Sequence, residues 1–176
     1  MKKYLVLVLI VLLIGALSVG VLAAPAGKSN VAHLYLYEKD AVTWDIVEGA
    51  WGKMKYNISG TEFDFVFNGH GLEPGLEYTL IYYPDPWPGI GLICLGSGTV
   101  NAEGDIHIAE SVDTEGNLPI ENDLNADETT TTLDDGSTGA KIWLVLTADV
   151  TDEMIAWNPT EYLFEDELIT FDDTDI

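Results

Sequence analysis

Three histidines, one cysteine, a dense set of acids and a proline-spaced aromatic segment are the groups in this chain from which chemistry could be built. His33, His70 and His107 would suit a zinc- or copper-type centre if the strands carrying His33 and His107 were neighbours and the turn at His70 folded over them. No two of them sit at i, i+2 or i, i+4, so independent surface or turn histidines are the expectation. Carboxylate and amide oxygens are more numerous, and oxygens from flexible loops are what calcium requires. Two runs offer them at alternate positions: Asp113, Glu115 and Asn117, then Asp123, Asn125 and Asp127. Neither run completes the helix-loop calcium pattern with its Gly and closing Glu, so a solvated acidic loop stands beside the calcium reading. Tyr82, Tyr83 and Trp87, stiffened by Pro84, Pro86 and Pro88, form a third constellation. Proline holds such rings in place at little entropic cost, so they could stack on sugar rings; alternatively Trp87 plugs the end of the fold.

Covalent chemistry has little support. No Gly-x-Ser-x-Gly elbow, His-Glu-x-x-His helix or phosphate-cradling glycine loop is present, and no carboxylate pair stands out among thirty acids. The expectation is therefore a protein that is not an enzyme, with a metal-dependent enzyme built on the three histidines as the remote alternative. Cys94 lies in the apolar run Leu92 to Leu95 and reads as a buried thiol. Asn57-Ile-Ser59 is a glycosylation sequon with a permitted middle residue, whereas Asn158-Pro-Thr160 fails because proline occupies its centre.

The elements that must position these groups follow a basic, then apolar, opening. Lys2 and Lys3 precede an uncharged run from Tyr4 to Ala24 that ends in small residues. This pattern reads as an export signal, cut after Ala23 or Ala26, or else retained as an anchor. Residues 1–23 are thus assigned to export, 24–30 to a short linker and 31–176 to one domain placed outside the cell or on its surface. One thiol allows no internal disulfide, so packing must stabilise that domain. The formal charge is −23, every basic residue is Lys and none is Arg. Such a chain repels phosphate backbones and lacks the bidentate phosphate reader, which excludes nucleic-acid partners.

Beyond residue 30 the pattern has period two. Ala32, Leu34 and Leu36 alternate with His33, Tyr35 and Tyr37; Met54 and Tyr56 alternate with Lys53 and Lys55; Phe63, Phe65 and Phe67 alternate with Glu62 and Asp64. Ser59-Gly60 reads as the hairpin turn between the last two runs. Further strands are predicted at 77–83, 92–100, 106–112 and 141–146, the last of them central, with one or two more between Tyr162 and Phe171. Residues 113–139, rich in Asp, Asn and Thr, read as one long exposed acidic loop. A single helical turn is predicted over 151–157, stopped before Pro159. The sum is an all-β protein: an antiparallel β-sandwich or small barrel of seven to nine strands behind an N-terminal hydrophobic export helix.

The phrases Gly71-Leu-Glu-Pro-Gly-Leu-Glu-Tyr-Thr-Leu80, Tyr82-Tyr-Pro-Asp-Pro-Trp87, Gly139-Ala-Lys-Ile-Trp-Leu-Val-Leu146 and Trp157-Asn-Pro-Thr-Glu-Tyr-Leu-Phe164 resemble an uncharacterised secreted β domain of methanogenic archaea. The Gly-Leu-x-Pro-Gly turn with its Tyr-Thr-Leu, followed by Gly104-Asp-Ile-His-Ile108, is loosely similar to the sandwich layout of chordin-type extracellular domains. Both likenesses imply an extracellular β domain and carry no functional residue onto this chain. The leading expectation is a non-catalytic cell-envelope or interaction module that assembles through its terminal strands, Val31 to Tyr37 or Tyr162 to Phe171. The alternative is a carbohydrate-binding module using Tyr82, Tyr83 and Trp87, stiffened by calcium.

Overall fold

A computed structural model describes residues 29–126 and 138–176. The export segment, Asp127 and the threonine run that follows it lie outside the described residues. Ten strands follow in chain order: β1 Val31–Lys39, β2 Ile46–Asn57, β3 Ser59–Gly60, β4 Phe63–His70, β5 Glu77–Tyr83, β6 Ile93–Thr99, β7 Ile106–Val112, β8 Lys141–Leu146, β9 Leu163–Glu165 and β10 Asp172–Asp173. Eight form one antiparallel sheet in the order β6-β5-β8-β9-β1-β2-β4-β7, and β3 and β10 make a two-residue parallel pair. The chain is all-β, with its sheet curled into an almost closed barrel. Among the described residues no helix is long and apolar enough to cross a membrane.

The two-residue period explains the curl. Leu34 and Leu36 of β1, Met54 and Tyr56 of β2, Phe63, Phe65 and Phe67 of β4, and Ile106 and Ile108 of β7 all point inward and are buried. Their partners across the ladder are in register, Leu34 with Met54, Met54 with Phe67 and Phe67 with Ile108, so one apolar stripe runs around the interior. Opposite-facing His33 and His107 are exposed, as the alternation requires. Strands β5, β8 and β9 differ, because both of their faces are buried. Tyr78, Leu80, Tyr82, Ile142, Leu144 and Leu163 enter the barrel, while Ile81, Tyr83, Trp143, Val145 and Phe164 form a second apolar layer outside it with Met154 and Tyr162.

The two free edges, β6 and β7, face each other across a seam closed by side chains. Gly96 and Gly98 make room for it: a Cβ on Gly96 would stand 2.9 Å from Ile108 Cγ2, and one on Gly98 would stand 3.2 Å from Ile106 Cγ1. Gly96→Val is expected to pry the seam open and to lower unfolding stability by about 1–3 kcal/mol, as overpacking does. A urea midpoint equal to that of the parent would contradict this account of the seam.

Several expectations are corrected here. The terminal segments are not sheet edges, because β1 is paired by β2 along its length and by β9 at Leu36 and Tyr37, and β9 lies between β8 and β1. Ser59-Gly60 does lie in the turn of the β2–β4 hairpin, and it also forms the short strand β3 that receives β10. No helix forms over 151–157; the helical turns are Thr147–Asp149 and Pro159–Glu161, and the intervening chain is drawn across the outer apolar layer by buried Met154. The stretch after β7 is not simply an exposed loop. Leu118 is buried and exchanges two backbone hydrogen bonds with Phe171, each of 3.0 Å, and Thr114, Asp123 and Asn125 are buried as well. Cys94 is exposed, because the alternation that turns Leu95 inward turns its neighbour out.

Candidate functional site

Three loops rise over the outer layer of β5, β8 and β9, each fixed by its own polar anchor. In the β1–β2 turn the Asp40 carboxylate accepts N–H bonds from Val42 and Thr43, at 2.9 and 2.8 Å. These bonds, the Thr43 one foremost, hold the Asp40 carboxyl below its usual range. The same turn sets Trp44 at φ 62°, in the left-handed region that bulky side chains avoid. A residue held there costs about 1–3 kcal/mol and persists only where its surroundings impose it. The position brings the Trp44 indole edge-on to Phe164, with centroids 5.1 Å apart.

The proline loop after β5 is anchored from below by Asp123. This carboxylate accepts the Tyr82 hydroxyl at 2.5 Å, the Asp85 N–H at 3.1 Å and the Asn125 N–H at 3.0 Å. The Tyr82 hydroxyl in turn accepts Ile120 N–H at 3.1 Å. Burial first, and then the Asp123 hydrogen bond, push the Tyr82 phenol far above its ordinary value. The third loop, residues 150–162, hangs from Asp149, whose Oδ2 accepts both the Tyr162 hydroxyl at 2.6 Å and the Asn158 amide at 2.8 Å. Met154 N–H donates to the Pro88 carbonyl at 2.9 Å, which joins the second and third loops.

Between them lies a cleft of about 910 Å³. Its walls are Trp44, Tyr83, Trp87, Trp143, Trp157 and Phe164; its polar groups are Lys39, Lys141, Asp85 and Glu165. Tyr83 and Trp143 are stacked at 3.9 Å and form the inner wall. Trp157 is the hub of the outer wall, 6.1 Å from Trp44, 5.7 Å from Trp87 and 5.8 Å from Trp143. Trp44, Trp87 and Trp157 stay 47%, 50% and 40% exposed, so three indoles offer ring surface to solvent in one place. Four of the five tryptophans of the chain are gathered here.

The polar groups are unusual for so acidic a protein. Lys141 forms an ion pair with Asp85. Lys39 donates to the backbone carbonyl of Glu165 at 2.7 Å and, among the described residues, makes no ion pair. Glu165 is half-buried, and its Oε2 is shut off from solvent with no hydrogen-bond partner. Burial pushes its pKa up to about 8, against smaller opposing effects of its own backbone N–H, Lys39, Lys141 and the Trp143 indole.

Of the residues predicted to form a sugar site, Tyr83 and Trp87 line the cleft and Tyr82 does not. Successive residues of a strand face opposite ways, so Tyr82 points into the barrel and its hydroxyl is consumed by Asp123. Trp87 stands on the rim of the cleft and plugs no barrel end. The predicted calcium residues are scattered among structural duties. Asp123 is spent on its three donors, Asn117 Oδ1 accepts Asp173 N–H at 2.7 Å, and Asp113 Oδ1 accepts Glu115 N–H at 2.8 Å. Asn125 is buried, and Asp127 lies outside the described residues. Among the described residues no group of three His, Cys, Asp or Glu is placed to hold a metal ion.

The histidines are not brought together. His70 bonds Asp105 at 2.7 Å and packs on Trp51, His107 bonds Asn68 at 2.8 Å, and His33 lies opposite Lys55 on β1. Asn57 ends β2, where its amide donates to the Glu62 carbonyl at 2.9 Å and its Oδ1 accepts Asp64 N–H at 2.8 Å, bracing the turn. The sequence reading missed Trp44, Trp143, Trp157, Phe164 and the four polar groups. One signal for them existed. Trp44, Trp87 and Trp157 all sit among turn formers, Asp, Asn and Pro, where a core tryptophan has no reason to be.

No known protein family, curated protein or solved structure matches this chain.

Proposed function

We propose that the protein is an exported, non-catalytic binding module whose aromatic cleft takes a carbohydrate. The observation that carries this reading is the convergence of six aromatic side chains, three of them solvent-exposed indoles on separately anchored loops, in one cleft. Exposed tryptophan costs solubility, and a protein that gathers three at one spot uses them for contact. Sugar rings present C–H faces that stack on indole and hydroxyls that seek polar partners, here Lys39, Lys141 and Asp85 around the rim of the aromatic walls. The export reading rests on the basic residues Lys2 and Lys3 ahead of the apolar run to Ala24. Binding in place of catalysis accords with Asp85 being tied to Lys141.

Four of five tryptophans border the cleft, so their fluorescence reports occupancy directly. Titrating the mature domain with a panel of soluble oligosaccharides is expected to shift and quench the emission for the cognate class. Trp87→Ala is expected to weaken that binding about ten-fold or more while the fold melts as before, because this half-exposed ring packs mainly on Trp157. An unchanged emission with every saccharide tested would refute the proposal.

A further inference from the structure

Building on the carbohydrate reading, we infer that the cleft selects a sugar bearing a carboxylate, a uronic-acid-type pyranose whose acid group is received by Lys39. Four lysines occur among the described residues, at positions 39, 53, 55 and 141, and two of them line this one cleft. In a chain of net charge −23 that placement concentrates scarce positive charge where a ligand enters. Lys141 is occupied by Asp85. Lys39 is not: its ammonium spends one N–H on the Glu165 carbonyl, which fixes its direction, and its other two donors have no acid partner among the described residues.

The neighbouring groups preserve that charge. Facing Lys39 and Glu165 are Lys141 from β8, Tyr83 from β5, Asp85 from the proline loop, and the Trp143 indole. Asp166, the next residue, turns away to accept the Tyr35 N–H at 3.2 Å. With Asp85 neutralising Lys141, the carboxyl left to cancel Lys39 among the described residues that line the cleft is Glu165. Its buried, unpartnered oxygen favours the neutral form. At neutral pH the cleft therefore carries one net positive charge amid aromatic surface, a low-dielectric setting in which a carboxylate gains more than it does in water. The remaining acids repel such a ligand from afar, but beyond about 8 Å physiological salt screens them.

The sign of the pH dependence follows. Once the pH rises through about 8, Glu165 ionises, cancels Lys39, and the attraction for an acid sugar is lost. A neutral sugar shows no such loss.

The test is calorimetric titration of the mature domain with a uronic-acid oligosaccharide, its methyl ester and a neutral oligosaccharide of equal length, at pH 6 and pH 9. The acid form is expected to bind about ten-fold tighter than its ester at pH 6, the worth of one charge-assisted hydrogen bond, and to lose most of that advantage at pH 9. Lys39→Met should bring acid and ester to equal affinity. Lys53→Met, which removes the same charge over the Tyr35 ring and away from the cleft, should leave their ratio unchanged. Ester or neutral sugar binding as tightly as the acid to the unaltered protein overturns the inference and leaves the carbohydrate reading standing. Failure of all three ligands overturns both.

Discussion

Asp123→Ala is expected to destabilise the protein by about 3 kcal/mol or more, because it strips two buried donors and one half-buried donor of their acceptor at once. The Tyr82 hydroxyl lies inside the barrel with no other acceptor assigned to it, and the Asp85 and Asn125 amides lose the group that turns their backbones. Tyr82→Phe removes one of those donors and the acceptor of Ile120 N–H, so it should cost about 1–2 kcal/mol. The cost extends to the cleft. Asp123 sets the start of the proline loop, Asp85 holds Lys141 from that loop, and Trp87 follows two residues later. Loss of the anchor should therefore weaken saccharide binding as well as stability. Guanidinium unfolding of the two variants beside Asp152→Ala, an exposed acid, measures the difference. An Asp123 variant no less stable than the Asp152 one would mean that the buried network does not hold the loop.

The second large effect concerns Glu165. Its folded pKa of about 8 lies above the ordinary carboxyl value of 4.5. The unfolded chain releases the proton from about pH 4.5 upward, while the folded chain keeps it to about pH 8. The stabilising contribution of the protonated form is thus complete below 4.5 and is lost as the pH rises to about 8, at up to about 1.4 kcal/mol per pH unit. Glu165→Gln keeps the shape and cannot ionise. The substituted protein is expected to melt at the same temperature as the parent near pH 4 and several degrees higher at pH 8. Using the difference between the two proteins removes the general repulsion among the other acids, which also grows with pH. Parallel melting curves across that range would show that Glu165 ionises freely and would also withdraw the reason for Lys39 keeping its charge.

What could be read in the chain itself was local. Strands β5, β7 and β8 appear at the predicted residues, and the buried faces of β1, β2 and β4 are those of the alternation, because a strand with one face in a core records that burial every second residue. Lys2, Lys3 and the apolar run to Ala24 are likewise a local pattern, the one on which the export proposal rests.

The cleft was not legible in the same way. Its walls come from residue 44 on the first turn, 87 on the proline loop, 143 on β8 and 157 on the last loop, and no local pattern relates positions so far apart. Only closure of the sheet with β9 between β1 and β8 carries Phe164 and Glu165 beside Lys39. The same closure corrected the role of Tyr82. Its sequence neighbourhood is that of Tyr83, but strand alternation sends one ring to Asp123 inside and the other to Trp143 outside. Acidic residues were harder still, since a carboxylate that binds calcium and one that accepts three backbone or phenolic donors have the same local sequence. Asp123 became an anchor because folding surrounded it with donors, and Glu165 favours its neutral form because folding left its Oε2 out of solvent without one. Those outcomes depend on burial and partners, which tertiary structure decides.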